Sequence, residues 1–512
     1  MNSWNEGYFT DSTYTYGYYR ELSPMFMRWC LLLNGIAAAE IMEESFHCEL
    51  GFGQGVSANI HAAATPGKFY GTDFNPAHAV MAQELAEASA SEAKFFEDSF
   101  EEFSKRDDLP QFDSIGFHGI WSWISAENRR HIMKIARRHL KSGGMVYNSY
   151  NCLPGWAPAA PLRELLSMYD KYSGASGAAK GRVADALKFI EEMLAAKPAY
   201  MNIAPSFAKV FESLKKHNPD YLAHEYLNLD WDLMYFADVA EISQQAKLDF
   251  AASAVPLEII EKLNLSESAI EFLKRINNPI IKEQARDYFL NRQFRKDIFV
   301  RGIRRITPLE RLDKILEMRY VLLVPAENVP LKFAAAGGEV SLSAAVYRPI
   351  LEFLQEDNFR PKTFNEYLKR TPAQDAKGLL EIIIILVNGN HIMPCQSEAA
   401  VKLVKKSCER LNAHICERSK FEDAINFLAS PLTGQGISVN RFQQIFLAQY
   451  KSGDKTSEKL AEAAWKIFAR QGQRLIKDGK AIESPEENLA QFKTLAETFL
   501  TKQLPIFKAL LL

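Results

Sequence analysis

Residues 46 to 150 alternate short apolar runs with helical patterns, and this alternation constrains the fold more than any other feature of the chain. The apolar runs read FHCELGF, KFYGTDF, AKFFED, QFDSIGF and MVYNSYN. Helical patterns fall at 54–64, 76–90 and 126–140, and the last is expected to stop at the Ser142-Gly143-Gly144 stretch. Strands that alternate with helices predict an α/β fold, in which helices cover both faces of a parallel sheet.

Two helical insertions interrupt this predicted sheet. At residues 155–230 the alternation breaks, and SGASGAAKG at 173–181 is typical of a flexible link. Runs at 247–255 and 296–302 predict two more strands, with a second helical insertion at 257–290 between them. The sheet therefore resumes after the first insertion, and a mostly helical region follows it.

The composition argues against several classes of partner. A formal net charge of −2 does not suit a nucleic-acid binder. The six cysteines form no Cys-x-x-Cys pair and match no common zinc spacing, so we expect reduced thiols and no metal site. The N-terminus lacks a secretory signal, and the longest early apolar run, 30–39, is far shorter than the roughly 20 residues of a membrane span. These features predict a soluble cytoplasmic protein without a membrane span.

The stretch CELGFGQGVSAN at 48–59 brings backbone close to a ligand. It places Gly51, Gly53 and Gly55 at alternate positions, shortly after Glu49. A phosphate-binding P-loop would need a Gly-Lys-Ser/Thr ending, which is absent, and a dinucleotide fingerprint would read G-x-G-x-x-G rather than G-x-G-x-G. The alternative is a loop of small residues that only opens a helix.

Acidic residues end the next two predicted strands. Asp73 ends the second strand, and Asp98, followed by Ser99 and Phe100, ends the third. Asp73 could instead cap the helix that begins at Pro76, and Asp98 could be a cap or a solvated acid. These alternatives stay open from the residues alone.

Together, Glu49, the three glycines, Asp73 and Asp98 resemble the motifs of class I S-adenosylmethionine-dependent methyltransferases. Later segments resemble bacterial methyltransferases that carry a methyltransferase regulatory domain, and the rickettsial lysine methyltransferases that modify outer-membrane proteins. These segments are YTYGYYRELSP (14–24), FHGIWSWIS (117–125), YNSYNCLPGW (147–156), YLAHEYLN (221–228), YFADVAE (235–241) and QFRKDIFVRG (293–302). The resemblance covers most of the chain.

The resemblance implies a Rossmann-like seven-stranded sheet with helical insertions, and a mostly helical C-terminal domain. It divides the chain into an aromatic N-terminal lid segment (1–45), an S-adenosylmethionine-binding core (46–154 and 231–325), a helical insertion (155–230) and the C-terminal domain (326–512). Residues 345–395 of the C-terminal domain are compatible with a small winged-helix module. Their six Lys/Arg and six Asp/Glu residues balance each other, which does not suit a surface that faces nucleic-acid phosphates.

It also implies the residues of the site. The cofactor S-adenosyl-L-methionine would be held by Tyr16, Glu49, Gly51, Gly53, Gly55, Asp73, Phe74, Asn75, Asp98, Ser99, Phe100, His118 and Gly119. Asp73 would accept hydrogen bonds from the ribose hydroxyls, and Asp98 would lie by the adenine. At the transfer point the fourth strand ends in Phe117-His118-Gly119-Ile120-Trp121, without the Asn/Asp-Pro-Pro-aromatic sequence typical of DNA amino methyltransferases. The candidate proton acceptors are His118, Tyr150 and Asn151.

The N-terminal segment is unusually aromatic, with nine Phe, Trp and Tyr residues in positions 1–29. Aromatic faces attract cations. We expect a lid over the cofactor that includes Tyr14, Tyr18, Trp121 and Trp156. The alternative is a hydrophobic strap on the outside of the sheet.

The sequence thus predicts a methyltransferase whose substrate is a protein with exposed lysines, such as an outer-membrane protein, and which could form a homodimer. Two alternatives remain: a small-molecule methyltransferase, and a non-catalytic binding module of the same fold. The intact glycine and acid set disfavours the second alternative.

Overall fold

Seven strands form the central sheet of the protein, whose computed structural model describes residues 16–173, 179–204, 206–216, 222, 228, 230–477 and 479–512. The strands are β1 (Phe46–Leu50), β2 (Lys68–Thr72), β3 (Lys94–Phe96), β4 (Phe112–Phe117), β5 (Leu140–Asn151), β6 (Asp249–Ser253) and β7 (Phe294–Val300). Their order is β3-β2-β1-β4-β5-β7-β6. The first five strands are parallel, and β7 runs antiparallel to both β5 and β6. The predicted α/β class is confirmed.

Helices pack against both faces of the sheet. In the first half they are α1 (Pro24–Leu33), α2 (Val56–Ala64), α3 (Pro76–Ser89), α4 (Phe100–Lys105) and α5 (Ala126–His139). Between β5 and β7 further helices span Phe236–Gln244, Glu261–Asn264, Glu267–Lys274 and Pro279–Leu290, the last three forming the predicted insertion between β6 and β7. Short 3₁₀ turns lie at Arg20–Leu22, Trp121–Trp123, Pro256–Ile259 and Ala326–Asn328.

One boundary differs from the prediction. The helix α5 ends at His139, and the stretch Ser142-Gly143-Gly144 lies inside β5 rather than in a loop. The Gly143 N–H donates to the carbonyl of Arg301 at 2.7 Å, and the Arg301 N–H donates to Gly144 at 3.0 Å. Pairing with the chain beyond β7 therefore keeps these residues in the sheet, and Gly143 accommodates the distortion with a φ of +79°.

The first insertion is a helical unit with its own core. It contains α6 (Ala160–Tyr172), α7 (Ala179–Ala195), α8 (Tyr200–Ile203) and α9 (Ser206–Leu214). Buried side chains such as Leu162, Ile190 and Phe211 pack together in it. Residues 174–178 of the predicted flexible link lie outside the described residues, and its last three residues form the first turn of α7.

The C-terminal part is mostly helical, with short strand pairs. Its helices span Pro308–Glu317, Ala344–Phe359, Phe364–Arg370, Ala376–Asn388, Glu398–Arg418, Arg441–Ser452, Ser457–Arg470, Pro485–Thr498 and Leu504–Ala509, with a π-helical turn at Phe499–Gln503. Its strands are β8 (Arg319–Leu322), β9 (Lys332–Ala335), β10 (Gly338–Ser341), β11 (Lys362–Thr363), β12 (Ile392–Pro394), β13 (Phe427–Ser430), β14 (Gln435–Ser438), β15 (Ile476–Lys477) and β16 (Lys480–Ala481). Strands β11, β8 and β12 form an antiparallel sheet beside the helices 344–388. The winged-helix assignment stays a prediction.

The C-terminal part packs directly on the seven-stranded domain. A single hydrophobic core contains side chains of α1, α2, β5 and β7 together with those of β8 and the C-terminal helices. The helix Glu398–Arg418 lies on α2 and α3. There the Cys408 thiol lies 3.1 Å from the carbonyl of Ala63, and Arg418 pairs with Glu84 at 3.2 Å. This packing covers the outer side of the helices that follow the glycine stretch.

Within the described ranges, no helix is long and apolar enough to cross a bilayer. The same residues contain no cluster of three or more His, Cys, Asp or Glu side chains that could hold a metal ion. All six cysteines are buried and unpaired.

Candidate active site

A deep cleft opens where β1, β2, β3 and β4 end at their carboxyl edge. It encloses about 1140 Å³ of space between atoms, part of it continuous with solvent. Loops at the carboxyl ends of parallel strands are the usual ligand site of open α/β sheets. The cleft is bounded on one side by the glycine stretch and on the other by the turn after β4.

The glycine stretch turns sharply between β1 and α2. Gly51, Gly53 and Gly55 all have positive φ angles, of +69°, +55° and +70°. An L side chain rarely adopts this conformation, so the alternate spacing of glycines has a conformational cause. At Gly55 a side chain is also excluded by space, because a Cβ would lie 2.5 Å from the Cβ of Ala82 in α3.

Asp73 organises this loop from the end of β2. One carboxylate oxygen accepts the N–H of Gly53 at 2.8 Å, and the other accepts the N–H of Asn75 at 3.0 Å and contacts His78 Nδ1 at 3.0 Å. The N-cap of α3 is Asn75, whose side chain accepts from the Ala77 N–H. Asp73 therefore ties the glycine stretch to the start of α3 and lines the cleft, while helix capping falls to its neighbour.

Glu49 lies in the same cleft and is only 9% exposed. Burial raises the pKa of the Glu49 carboxyl to about 8, and the nearby charge of Asp73 adds to the shift. The free protein consequently keeps a proton on this carboxyl at neutral pH. A cation that entered the cleft would favour the ionised form.

Asp98 lies two residues after the end of β3, in a polar cluster. Its carboxylate pairs with Arg106, whose guanidinium stacks on Phe96 at 3.9 Å from the ring centroid. Its backbone is tied to Thr72, because the Thr72 hydroxyl donates to the Asp98 carbonyl at 2.5 Å. The next residue, Ser99, is the N-cap of α4 and forms a capping box with Glu102.

His118 stands at the end of β4, and its ring is held on several sides. Its Nδ1 lies 2.8 Å from the Tyr147 hydroxyl and 3.1 Å from the Ser149 hydroxyl, and both of these partners belong to β5. Tyr19 of the N-terminal segment stacks on the imidazole with 3.9 Å between ring centroids. Enclosure by protein lowers the pKa of His118 to about 4, so the imidazole is neutral at physiological pH. A neutral imidazole can accept a proton or a hydrogen bond.

The structure brings most of the predicted cofactor residues to the cleft. Those that line it are Glu49, Gly51, Gly53, Asp73, Phe74, Asn75, Asp98, Ser99, Phe100, His118 and Gly119. Tyr16 and Gly55 do not line it, although Gly55 shapes the loop.

Two of the predicted proton acceptors lie away from the cleft. The Tyr150 side chain is buried in the core under the sheet, and its hydroxyl donates to Asp297 at 2.7 Å. The backbone N–H of Asn151 donates to the Ser122 hydroxyl at 2.9 Å. Neither residue lines the cleft, so only His118 of the three reaches it.

The predicted lid residues do not gather over the cleft. Tyr14 lies outside the described residues. Tyr18 packs against Phe427 of β13, and Trp121 is fully buried against Phe117. Trp156 makes an edge contact with Trp231. In each described case the side chain contacts protein on a face that does not line the cleft.

Several lining residues escaped the sequence analysis. Tyr19 and Trp123 line the cleft beside the predicted Tyr18 and Trp121, and Asp230 reaches it from the end of the first insertion. The aromatic richness of the two segments was a usable signal for the first two. No local signal marked Asp230, because the fold alone brings the insertion to this edge.

The comparisons with known proteins agree with this geometry. A methyltransferase domain family matches residues 48–144, and a family described as a predicted methyltransferase regulatory domain matches residues 218–301. An uncharacterised Synechocystis protein, sll1526, is 40% identical over 99% of both chains. An uncharacterised Rickettsia prowazekii protein, RP789, is 24% identical over 94% of this chain and 90% of its own.

Among solved structures, PKMT2 from Rickettsia typhi in complex with AdoHcy superposes with a TM-score of 0.69. It is 17% identical in sequence, over 97% of this chain and 99% of its own. The likeness shows that this chain shares the fold of that structure over nearly its whole length, including the helical C-terminal part.

The cleft fits S-adenosylmethionine on its own geometry. The glycine stretch presents backbone without side chains, which leaves room for a ligand to lie against it. Asp73 and Asp98 offer acceptor oxygens at successive strand ends, and Glu49 offers a carboxyl to an ammonium group. Among the described lining residues there are four carboxylic acids and no Lys or Arg, a charge balance that suits a cationic ligand.

Proposed function

The chain belongs to the class I S-adenosylmethionine-dependent methyltransferases that carry a methyltransferase regulatory domain, and from this premise we propose that it methylates the side-chain amine of lysines in a protein. The membership is carried by the two family matches and the full-length fold. The enzyme binds S-adenosylmethionine and transfers its methyl group. The methyl acceptor is the part that we propose.

The charge of the cleft is the observation that favours an amine. Its lining includes Glu49, Asp73, Asp98 and Asp230, and the described lining residues include no Lys or Arg. Glu49 holds a proton until a cation enters, and Asp98 is already paired with Arg106 outside the lining. Aromatic rings of Tyr19, Phe74, Phe100 and Trp123 add faces that attract cations. An ammonium group is drawn into such a cleft, whereas a carboxylate substrate is repelled from it.

The neutral His118 suits an amine as well. When bound, S-adenosylmethionine supplies an electrophilic methyl group on a positively charged sulfur. A lysine amine at pH 7 carries a free lone pair in only about one molecule in 10³ to 10⁴, which adds roughly 4 to 5 kcal/mol to the barrier. His118, which stands at the end of β4 with a pKa of about 4, can accept a hydrogen bond from the incoming amine without carrying a charge of its own. Asp73 and the glycine stretch hold the ligand in place and exclude water.

Similarity to other proteins supports a protein, rather than a small molecule, as the substrate. The fold neighbour PKMT2 from Rickettsia typhi was solved in complex with AdoHcy, and the sequence motifs of this chain resemble those of rickettsial lysine methyltransferases. A protein substrate also suits the helical insertion beside the cleft. This insertion has its own hydrophobic core, and Asp230 at its end lines the cleft. We propose an outer-membrane protein as the substrate.

The test is to incubate the purified protein with methyl-labelled cofactor and total cell extract, and then to separate protein from small molecules. We expect label in protein, located on lysines by mass spectrometry as increments of one methylene group, with kcat/KM rising from pH 7 toward about pH 9 as the amine loses its proton. Substrates with Lys→Arg changes should stay unlabelled.

His118→Gln provides the matched variant, since glutamine retains a hydrogen-bond acceptor but not the imidazole ring. We expect His118→Leu, which removes the acceptor, to lose roughly 10²-fold in kcat, and His118→Gln to lose less. Label confined to a small metabolite, or to base-labile esters of protein carboxylates, would contradict the lysine proposal while leaving the methyltransferase assignment intact.

A further inference from the structure

A short segment joins the two halves of the molecule at the transfer point. We call residues 16–23, which lead into α1, the strap. Its backbone is extended at Tyr19, with φ −124° and ψ 104°, and then forms the 3₁₀ turn Arg20–Leu22. Within residues 18–21 of the strap, the even-numbered side chains (18 and 20) and the odd-numbered side chains (19 and 21) contact different parts of the chain, and Leu22 after them lines the cleft.

The odd-numbered residues contact the seven-stranded domain. The Tyr19 ring stacks on His118, and its N–H donates to the Ser57 hydroxyl in α2 at 2.8 Å. Glu21 pairs with Lys296 of β7 at 2.6 Å. Two residues of the strap thus lie against the transfer point, and Tyr19 itself lines the cleft.

The even-numbered residues contact the C-terminal part. The Tyr18 hydroxyl accepts the N–H of Gly436 in β14 at 2.7 Å, and it also lies 3.1 Å from His61 of α2. The Arg20 guanidinium donates to the carbonyls of Val387 and Asn388 at 2.9 and 3.1 Å. These carbonyls end the helix Ala376–Asn388, where a cation is favoured.

From this alternation we propose that Tyr18 and Arg20 are positioning residues, through which the C-terminal part of the chain holds Tyr19 against His118. The C-terminal part then completes the transfer site although it contributes no side chain to the cleft lining among the described residues. The inference goes beyond the proposed function, because it holds for any methyl acceptor.

The proposal predicts a change in the pKa of the His118 imidazole when Tyr19 is released. The ring is enclosed by Tyr19 on one face and by Tyr147 and Ser149 at Nδ1, and the charged groups that face it are Glu21 from the strap and Lys296 from β7. These two charges pair with each other, so enclosure dominates and keeps the ring neutral. Release of Tyr19 admits water to the ring, and the pKa of His118 should then rise toward its ordinary value.

The experiment follows the reaction of His118 with diethyl pyrocarbonate, which modifies only the neutral imidazole, in the full-length protein. Modification of the peptide that carries His118 is quantified by mass spectrometry between pH 4.5 and about 8, a range chosen to span the ordinary histidine pKa. In the wild type we expect a slow rate with no midpoint inside this range, because the pKa of His118 is about 4. In Arg20→Ala and in Tyr18→Phe we expect a faster rate, by roughly tenfold, and a midpoint shifted toward 6.5.

Matched variants separate positioning from general stability. Arg348→Ala removes a guanidinium that also donates to two backbone carbonyls within the C-terminal part, those of Ala326 and Val329, and it should keep the wild-type profile. Arg20→Lys should rescue part of the protection. Tyr19→Ala should reproduce the Arg20→Ala profile, whereas Tyr19→Phe, which keeps the ring, should not.

The thermal shift with S-adenosylhomocysteine, measured in parallel, confirms that each variant is folded. A wild-type profile in folded Arg20→Ala and Tyr18→Phe would overturn the proposal. So would an equal shift in Arg348→Ala, since that result would reflect loss of stability alone. Neither outcome depends on the identity of the methyl acceptor.

Discussion

At the residue scale, two neighbouring acids of the cleft are both buried. Glu49 and Asp73 are 9% and 6% exposed. Burial, with Asp73 as the second cause, raises the pKa of Glu49 to about 8. In the free protein the folded state therefore holds more protons than the unfolded state between the ordinary pKa of Glu49 and pH 8. The contribution of Glu49 to stability is complete below that range and is lost as the pH rises through 8.

This protonation predicts a pH-dependent affinity for the cofactor. An ammonium or sulfonium ion favours the ionised Glu49, so binding below pH 8 must release the proton. We expect the affinity for S-adenosylmethionine to rise from pH 6 to pH 8, by at most about tenfold per pH unit, and to level off above. Isothermal titration calorimetry in two buffers of different ionisation heat measures both the affinity and the proton release.

Two carboxamide variants provide the controls for this prediction. Glu49→Gln should bind more weakly and with a flat pH dependence. Asp113→Asn, which changes the partner of Lys141 at the opposite end of β4, should keep the wild-type slope. A wild-type slope in Glu49→Gln would show that another group titrates.

The sequence identified the segments that border the cleft, but not always the residues whose side chains point into it. It chose Tyr18 and Trp121 for the cleft, where the structure places their neighbours Tyr19 and Trp123. The orientation of the strap is decided by Gly436 and Phe427, about four hundred residues away in the chain. No local pattern encodes such a contact, whereas Gly51, Gly53 and Asp73 could be identified because strand ends and backbone geometry are local properties.

At the scale of elements, the strands were predictable because short apolar runs alternate with helical patterns along the chain. The exception is the start of β5, where Ser142, Gly143 and Gly144 have the composition of a loop. Their pairing with Arg301 keeps them in the sheet, and this partner lies in a distant part of the sequence. Local composition is a weak guide wherever a tertiary hydrogen bond stabilises an unfavourable residue.

Two glycines with similar backbone angles should respond differently to alanine. Gly143 and Gly55 have φ angles of +79° and +70°. At Gly143 nothing lies within 4 Å of an added Cβ, so Gly143→Ala carries only the strain of a left-handed residue, about 1–2 kcal/mol. At Gly55 the added Cβ would also lie 2.5 Å from Ala82 and push α2 away from α3.

We therefore expect Gly55→Ala to destabilise the protein more than Gly143→Ala and to abolish cofactor binding. Gly143→Ala should bind the cofactor normally. Chemical denaturation gives the free energies of unfolding, and the thermal shift with S-adenosylhomocysteine gives the binding. Equal destabilisation with binding intact in both variants would mean that α2 and α3 can move apart at Gly55 and Ala82 at little cost in free energy.

At the scale of the whole molecule, the C-terminal part is packed as an extension of the seven-stranded domain. One core includes α1, α2 and the C-terminal helices, and the helix Glu398–Arg418 is attached to α2 and α3 by Cys408, Ser407 and Arg418. The sequence showed that this helix has a mixed charge but could not show that its other face is buried. The resemblance implies a boundary at residue 326, and the core contains side chains from both sides of it.

This shared core predicts how the protein unfolds. If α2 cannot keep its place without the C-terminal helices, the glycine stretch and the C-terminal part should lose structure together. We expect differential scanning calorimetry to show one cooperative transition, and S-adenosylhomocysteine should move the whole transition upward, because a ligand bound only by the folded state stabilises everything that unfolds with it. At a ligand concentration about 100 times the Kd the stabilisation should approach about 2.7 kcal/mol. Cys408→Ala should lower the transition temperature without splitting the peak, since it removes a fully buried side chain that packs against Ala63 in α2 and leaves a cavity there. Two separate transitions, of which only the first responds to the ligand, would show instead that the seven-stranded domain is stable alone and that the C-terminal part is a detachable module.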